Sequence, residues 1–319
     1  MLAALSIELI ADHCLRWQSM RMLLPAFRTI AFAAVLMMLM ACASVPPAQS
    51  LLAETDDLAM VTDSALQLAD RYGQGQVLVV FDIDNTLLAM EQGLGSDQWY
   101  YWQKDLEQED PCSINLVSNR FSVQGALYFA SAMRPTQADA AEQVRRLQDA
   151  GLSVIALTSR GPDYSLQTFR ELRRNDISFW PGALPPQRGY PGPFIPEGGT
   201  RAALYQDGVF LTAGQHKGDM LKALLDKTRT GSPAVVVIAD DKLENLQSVM
   251  ETFNGSATAI QAWRYSGEDS NVATLDTQRA AAQWDAVRPA LIKIEQVFGP
   301  DNFELPAQVV REGCGVLNP

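Results

Sequence analysis

The sequence predicts an α/β protein: a doubly wound parallel sheet with helices on both faces and a small helical cap inserted after the first strand. Three observations lead there. Short unbroken apolar runs stand at Val77–Phe81, Val154–Leu157 and Val235–Ala239, the mark of strands buried on both faces. Segments with helical spacing of apolar residues lie between them, and that alternation belongs to a parallel sheet with crossover helices. One stretch, residues 91–135, breaks the alternation and carries the aromatic cluster Trp99-Tyr100-Tyr101-Trp102.

Taken in order, the chain begins with a targeting pattern. Ile30 to Ala41 is an apolar run preceded by Arg21 and Arg28, too short to span a bilayer comfortably and suited to the hydrophobic region of a secretory signal. Leu39-Met40-Ala41-Cys42 resembles a lipobox, which would make Cys42 the lipidated mature N-terminus. Ala41-Cys42-Ala43 also fits ordinary signal cleavage. Residues 1–41 are therefore expected to be a signal segment, and the protein to be exported, periplasmic and held at the membrane by a lipid anchor.

Residues 42–75 read as a leader and a helix, with Thr55-Asp56-Asp57 capping a helix that runs to about Tyr72 and stops at Gly73 and Gly75. Residues 76–90 and 136–319 read as the core and 91–135 as the cap. A helix from about Thr136 to Ala150 feeds the strand at Val154. Asp163 to Arg174 reads as the next helix, followed by a short strand at Ile177–Phe179. Residues 181–199 hold 11 Gly or Pro, too many for regular structure. Ala202–Tyr205 and Val209–Thr212 flank Gln206-Asp207-Gly208 as a hairpin. His216 to Lys227 is helical, a further strand lies near Ala257–Ala262, and a last helix runs from about Asp276 to Val297. Trp99 and Trp102, three residues apart, can share a helix face, as packing for the cap or as a stacking surface for substrate.

Composition narrows the function. The chain carries a net charge of −12, so nucleic acid is excluded as a bulk partner. The expected signal segment contains only Arg16, Arg21, Arg28, Glu8 and Asp12 as charged groups, so the acidic excess belongs to the rest of the chain. An anionic substrate must be met by a local cluster of cations or by a metal ion. Cys112 and Cys314, beyond the signal, are either a disulfide or two buried thiols.

In doubly wound folds ligands sit beyond the carboxyl ends of the strands, so the residues after each apolar run carry the chemistry. They are Asp82-Ile83-Asp84-Asn85-Thr86, Thr158-Ser159-Arg160-Gly161, and Asp240-Asp241-Lys242-Leu243-Glu244-Asn245, with His216-Lys217-Gly218 opening the helix before the last of them. Asp82, Asp84, Asp240 and Asp241 gathered at one place repel one another unless something neutralises them. A hard divalent cation with oxygen ligands, Mg²⁺ above all, does so. Thr158 offers a hydroxyl and Lys217 a compact ammonium for an anion. Arg160 reaches substrate or phosphate, or forms a surface salt bridge, and His216 has no evident partner.

These four motifs resemble those of the haloacid dehalogenase superfamily: D-x-D-x-T, a Ser or Thr after the second strand, a Lys, and an acidic pair of the form D-D-x-x-x-N. The match covers residues 77–245 in order, and the surroundings are similar to an exported bacterial branch, more loosely to acid phosphatase lipoproteins. The resemblance implies a Rossmannoid core and a phosphate monoester hydrolase. It implies that Asp82 is the nucleophile that forms an aspartyl-phosphate, and that Asp84 is the general acid and then the base for water. Asp82, the Asp84 carbonyl and Asp241 would hold Mg²⁺, with Asp240 a further ligand or a group that orients the others. Thr158 and Lys217 would clamp the phosphoryl oxygens, and Asn245 would orient Asp241 or Lys217. A lid of this size favours small phosphorylated substrates over proteins. The rival readings are a phosphomutase or phosphotransferase, and a non-catalytic envelope lipoprotein that keeps the fold as a binding or structural module.

Overall fold

Alternation along three strands decides the architecture. The computed structural model describes residues 46–117, 120–298 and Cys314. The signal segment expected at 1–41 and the lipidation expected at Cys42 lie outside the described residues. Among the described residues, no helix is long and apolar enough to cross a membrane.

In chain order the elements begin β1 (Leu51–Thr55), α1 (Leu58–Tyr72), β2 (Val77–Phe81), β3 (Leu88–Met90), α2 (Asp97–Glu109), α3 (Arg120–Ala130), β4 (Met133–Pro135), α4 (Ala140–Asp149) and β5 (Ser153–Thr158). They continue α5 (Ser165–Arg174), β6 (Leu204–Gln206), β7 (Val209–Leu211), α6 (Lys217–Thr228), β8 (Val235–Asp240), α7 (Leu243–Thr252), β9 (Ala259–Tyr265), α8 (Asp269–Ala273) and α9 (Thr277–Phe298). The main sheet has the order β1-β9-β8-β2-β5-β7-β6, with β3 and β4 forming a separate pair. Its pairings are parallel except β6 with β7. The protein is thus an α/β molecule with a mostly parallel, Rossmann-like sheet flanked by helices.

Every residue of β2 and β8 is buried. Val77, Val79 and Phe81 join Val235, Val237 and Ala239 in one core, with α1 and α4 supplying Leu58, Val61, Val144 and Leu147. Leu78, Val80, Val236 and Ile238 point the other way, onto Met220, Leu221 and Leu224 of α6 and Leu246 and Val249 of α7. A period of two in the sequence therefore builds both cores at once. The strand order reverses at β2, which pairs with β5 on one side and β8 on the other. That switch point is where such sheets open a crevice at their carboxyl ends.

Several expectations need correcting. The leader contains an edge strand, β1, paired with β9 from Leu51 opposite Gln261 to Thr55 opposite Tyr265. Val77–Phe81 is therefore the second strand of the chain. Ile177–Phe179 is not a strand. The sheet position beside β5 is taken by β7, so Ile177 and Phe179 are buried as packing without pairing. The helix expected from Thr136 starts at Ala140, because the Thr136 hydroxyl instead donates to the Thr86 carbonyl at 2.6 Å. The hairpin is present, and Asp207 and Gly208 both take positive φ, 45° and 81°, as a tight turn between twisted strands requires.

Trp99 is fully buried in a third core with Leu94, Val123, Leu127, Ala280 and Leu291, and Trp102 packs against it. The inserted helices α2 and α3 thus share their packing with α9, and Cys112 is bonded to Cys314. Trp99 serves packing, while Trp102 also lines a cavity.

Gly218, the second residue of α6, lies so close to α7 that an added Cβ would stand 2.2 Å from the Ser248 carbonyl oxygen. Gly218→Ala should lower stability by about 1–3 kcal/mol through overpacking, read as a fall in thermal midpoint. Gly75→Ala, with open space around it, should leave the midpoint nearly unchanged.

Candidate active site

Ile83 continues the series Val77, Val79, Phe81 into the first core, which leaves Asp82 and Asp84 on the other side of the chain. Asp82 extends the ladder one residue past β2, its amide donating to the Ala239 carbonyl at 2.9 Å. Asp240 ends the neighbouring strand β8, which runs parallel in register with β2. Two buried carboxylates are therefore neighbours because two buried strands are.

Lys217 stands between them. Its Nζ donates to Asp82 Oδ1 and to Asp240 Oδ2, each at 2.6 Å, and its side chain is 1% exposed. His216 gives it that position: the imidazole caps α6, Nδ1 accepting from the Asp219 amide at 3.3 Å. The partner that the sequence did not show for His216 is the helix end itself. Burial opposes the charge on Lys217, and Asp240 and Asp82 more than restore it, so the ammonium is held above the ordinary lysine range. Burial, followed in size by the opposing pull of Lys217 and the repulsion of Asp240 and Asp84, leaves the Asp82 carboxyl raised to about 7.

One oxygen each from Asp82, Asp240 and Asp241 lies within 4.8 Å of the other two. The donor set is all carboxylate, which suits a hard dication. The three are not equivalent. Asp240 Oδ1 already accepts from the Lys242 amide and from Asn245 Nδ2, both at 2.9 Å, while its Oδ2 takes Lys217. That assignment fits the orienting role left open for Asp240. Asn245 holds Asp240, not the expected Asp241 or Lys217. Asp241 has no hydrogen-bond partner among the described residues. Burial and the charges of Asp240 and Asp82 push its carboxyl well above the usual range, the condition a bound dication relieves.

Asp84 belongs to a second network. Arg160 Nε and Nη2 donate to its two oxygens, both at 2.8 Å, and the Tyr128 hydroxyl donates to Oδ1 at 2.5 Å. Arg160 is 6% exposed, lies with its guanidinium 4.5 Å from the Tyr128 ring centre, and donates Nη1 to Thr168. The surface salt bridge considered for Arg160 is thus a buried bidentate pair. Burial favours the neutral form of Asp84, but Arg160 and Tyr128 outweigh it, and the carboxyl is held below its ordinary range. Thr158 ends β5 fully buried, its hydroxyl accepting from the Arg160 amide at 3.2 Å.

A cavity of about 430 Å³ opens over these strand ends, its lining including Asp84, Arg160, Lys217 and Asn245 from the sheet side. The adjacent Ser159, not Thr158, lines it. Asp241 faces a second cavity of about 480 Å³ with Asn85 and Arg264. Lys242, Asp97 and Tyr101 border both. Lys242 Nζ donates to Asp97 Oδ2 at 2.6 Å and sits 3.7 Å from the Tyr101 ring centre. Sequence reasoning missed Tyr128, Asp97 and Lys242 as partners of the site. The only local signal was the run Ser96-Asp97, where Ser96 caps α2, and nothing in it names a contact 145 residues away.

Fold and site together define a Rossmann-like α/β protein with a carboxylate–lysine cluster at the carboxyl edge of its sheet. The chain belongs to a family described as a protein of unknown function (DUF2608), whose model matches residues 57–296. No curated protein matches it significantly in sequence.

The carboxyl values set a pH dependence. A carboxyl whose folded value is about 7 against 3.8 for the free group keeps its proton longer in the folded chain, so metal-free protein loses this contribution as pH rises between those values. A dication binds the deprotonated cluster in competition with protons. Millimolar Mg²⁺ should raise the melting temperature more at pH 8 than at pH 5, and Asp241→Asn should reduce the rise. An equal shift at both pH values would place the ion elsewhere.

Proposed function

We propose that the protein is a Mg²⁺-dependent phosphatase of the haloacid dehalogenase type, hydrolysing small phosphate monoesters through an aspartyl-phosphate on Asp82. The observation that carries this reading is Lys217 bridging Asp82 and Asp240 at 2.6 Å, with Asp241 in the same carboxylate group. Three of the four resembling motifs contribute residues to this group.

Asp241, whose carboxylate has no hydrogen-bond partner among the described residues, would hold Mg²⁺ together with the Asp82 oxygen that Lys217 also fixes and the backbone at Asp84. The ion would supply positive charge against the phosphoryl oxygens and against the crowded carboxylates. Lys217 fixes the Asp82 carboxylate by one oxygen and leaves the other for in-line attack on phosphorus. The P–O(Asp82) bond forms as the ester P–O bond breaks, and the leaving alkoxide takes a proton from Asp84. Water, losing a proton to Asp84, then attacks the phosphorus of the aspartyl-phosphate and returns the Asp82 carboxylate and free phosphate.

Asp84 enters this cycle as a carboxylate gripped by Arg160 and Tyr128. Arg160 lines the cavity and is the cation an incoming phosphoryl group would compete for. Drawing Arg160 off Asp84 removes the partner that keeps the carboxyl ionised. The carboxylate then takes up a proton from the bound monoester monoanion or from solvent, and that proton is the one it gives to the leaving alkoxide. The same clamp is what favours the second reading, a binding module in which Asp84 never gives up a proton. Export with a lipid anchor at Cys42 remains part of the proposal for the chain's place in the envelope, on the strength of the N-terminal pattern.

With a chromogenic phosphate ester, residues 43–319 should show turnover that requires Mg²⁺. Asp82→Asn should abolish it and Asp84→Asn lower it by about 10²–10⁴-fold, the usual contribution of general acid–base catalysis. Turnover that persists unchanged in Asp82→Asn would exclude the covalent route. Magnesium binding without turnover of any ester would leave the binding module.

A further inference from the structure

Beyond the phosphoryl end, the wall of the 430 Å³ cavity carries a group of aromatic rings. Tyr100 and Tyr101 come from α2, Phe121 from α3 and Tyr164 from the core. Phe121 and Tyr164 lie with ring centres 5.1 Å apart. Tyr101 and Phe121 are 38% and 42% exposed, so both rings are accessible from the cavity they line.

Several polar groups of the same wall are committed to protein. The Gln124 amide donates to the Gly95 and Ser96 carbonyls. Gln215 uses its oxygen on the Thr200 and Arg201 amides and its nitrogen on the Arg201 and Thr212 carbonyls. The Tyr164 hydroxyl donates to the Phe121 carbonyl, Tyr128 is spent on Asp84, and Ser248 donates to the Asn245 carbonyl. The lining polar side chains with no hydrogen bond to protein among the described residues include Ser159, Lys104 and Glu244.

We infer that the cavity selects phosphate monoesters whose alcohol carries a planar aromatic ring, a specificity that rests on the proposed phosphatase activity. A polyol such as a sugar would set hydroxyls against the faces of Tyr101, Phe121 and Tyr164, where they find no partner, and each hydroxyl buried without a partner costs binding. A flat ring needs only faces and edges, which Tyr101, Phe121 and Tyr164 present. Lys217 and Arg160 meet the phosphoryl group, and the volume is far larger than one phosphate, leaving room for a ring system within the usual range of ligand pockets. The acidic chain leaves a polymer of nucleotides outside this class.

The test compares 2-phenylethyl phosphate, n-propyl phosphate and glucose 6-phosphate, whose leaving alcohols are similar in basicity, so a difference reads recognition and not intrinsic reactivity. With Mg²⁺, kcat/KM for the phenylethyl ester should exceed the other two by about tenfold or more, the size expected from burying one ring against others. Phe121→Ala and Tyr101→Ala should each bring the ratio toward one. Phe129→Ala, an exposed side chain on the same helix and outside the cavity, should keep it. A ratio below about threefold in the unaltered protein, or preference for glucose 6-phosphate, overturns the inference while leaving the phosphatase reading intact. Calorimetric binding of the matching phosphonates gives a readout without turnover. If no ester is hydrolysed but phenylethylphosphonate binds about tenfold tighter than propylphosphonate, the ring specificity stands and catalysis falls. If neither phosphonate is preferred and nothing is hydrolysed, both readings fail.

Discussion

Lys217 lets three aspartates share one strand edge. Buried carboxylates side by side are unstable as charges, and a buried ion pair holds only when its geometry is good and its remaining oxygens are hydrogen-bonded. Both conditions are met through the fold. His216 ends the turn and starts α6 with Lys217 as its first residue. Gly218, without a side chain, brings α6 against α7 closely enough for the ammonium to reach between β2 and β8. Asn245 and the Lys242 amide, from the opening of α7, occupy the other Asp240 oxygen. Removing any one of these leaves a buried charge with a missing partner.

Asp84 is held from the opposite direction. Its partners are Arg160, from the end of β5, and Tyr128, from the inserted helix α3. The insertion also sends Asp97 to Lys242, the residue next to Asp241. The inserted helices thus touch both Asp84 and the neighbour of Asp241. Their own packing runs to α9 and is reinforced by the Cys112–Cys314 bond. A motion of the insertion relative to the sheet would alter both contacts at once, which couples access to the cavity with the state of the site.

Asp82 and Asp84 are two residues apart and take different partners. Asp82 is pushed up by burial and by neighbouring carboxylates, while Asp84 is drawn down by Arg160. Divergent environments for adjacent carboxylates are how one site obtains two chemical roles. Here the divergence comes from β2 having β8 on one side and β5 on the other: Lys217 and Asp240 flank one carboxylate, and Arg160 the other.

The sequence by itself determined the strands at Val77–Phe81, Val154–Leu157 and Val235–Ala239, the helices between them and the edge at which Asp82, Lys217 and Asp240 meet. Those features come from local periodicity and from the rule that parallel strands align their carboxyl ends, and both are written in neighbouring residues. Tertiary structure alone decided that Arg160 clamps Asp84, that Tyr128 and Asp97 reach in from the insertion, that Asn245 serves Asp240, and that Leu51–Thr55 adds an edge strand while Ile177–Phe179 does not. Each of those depends on which segments compete for one place in space. Ile177 and Phe179 have the apolar character of a strand, yet β7 takes the pairing edge they would need, and no pattern within a few residues can report on a competitor some thirty positions further along the chain.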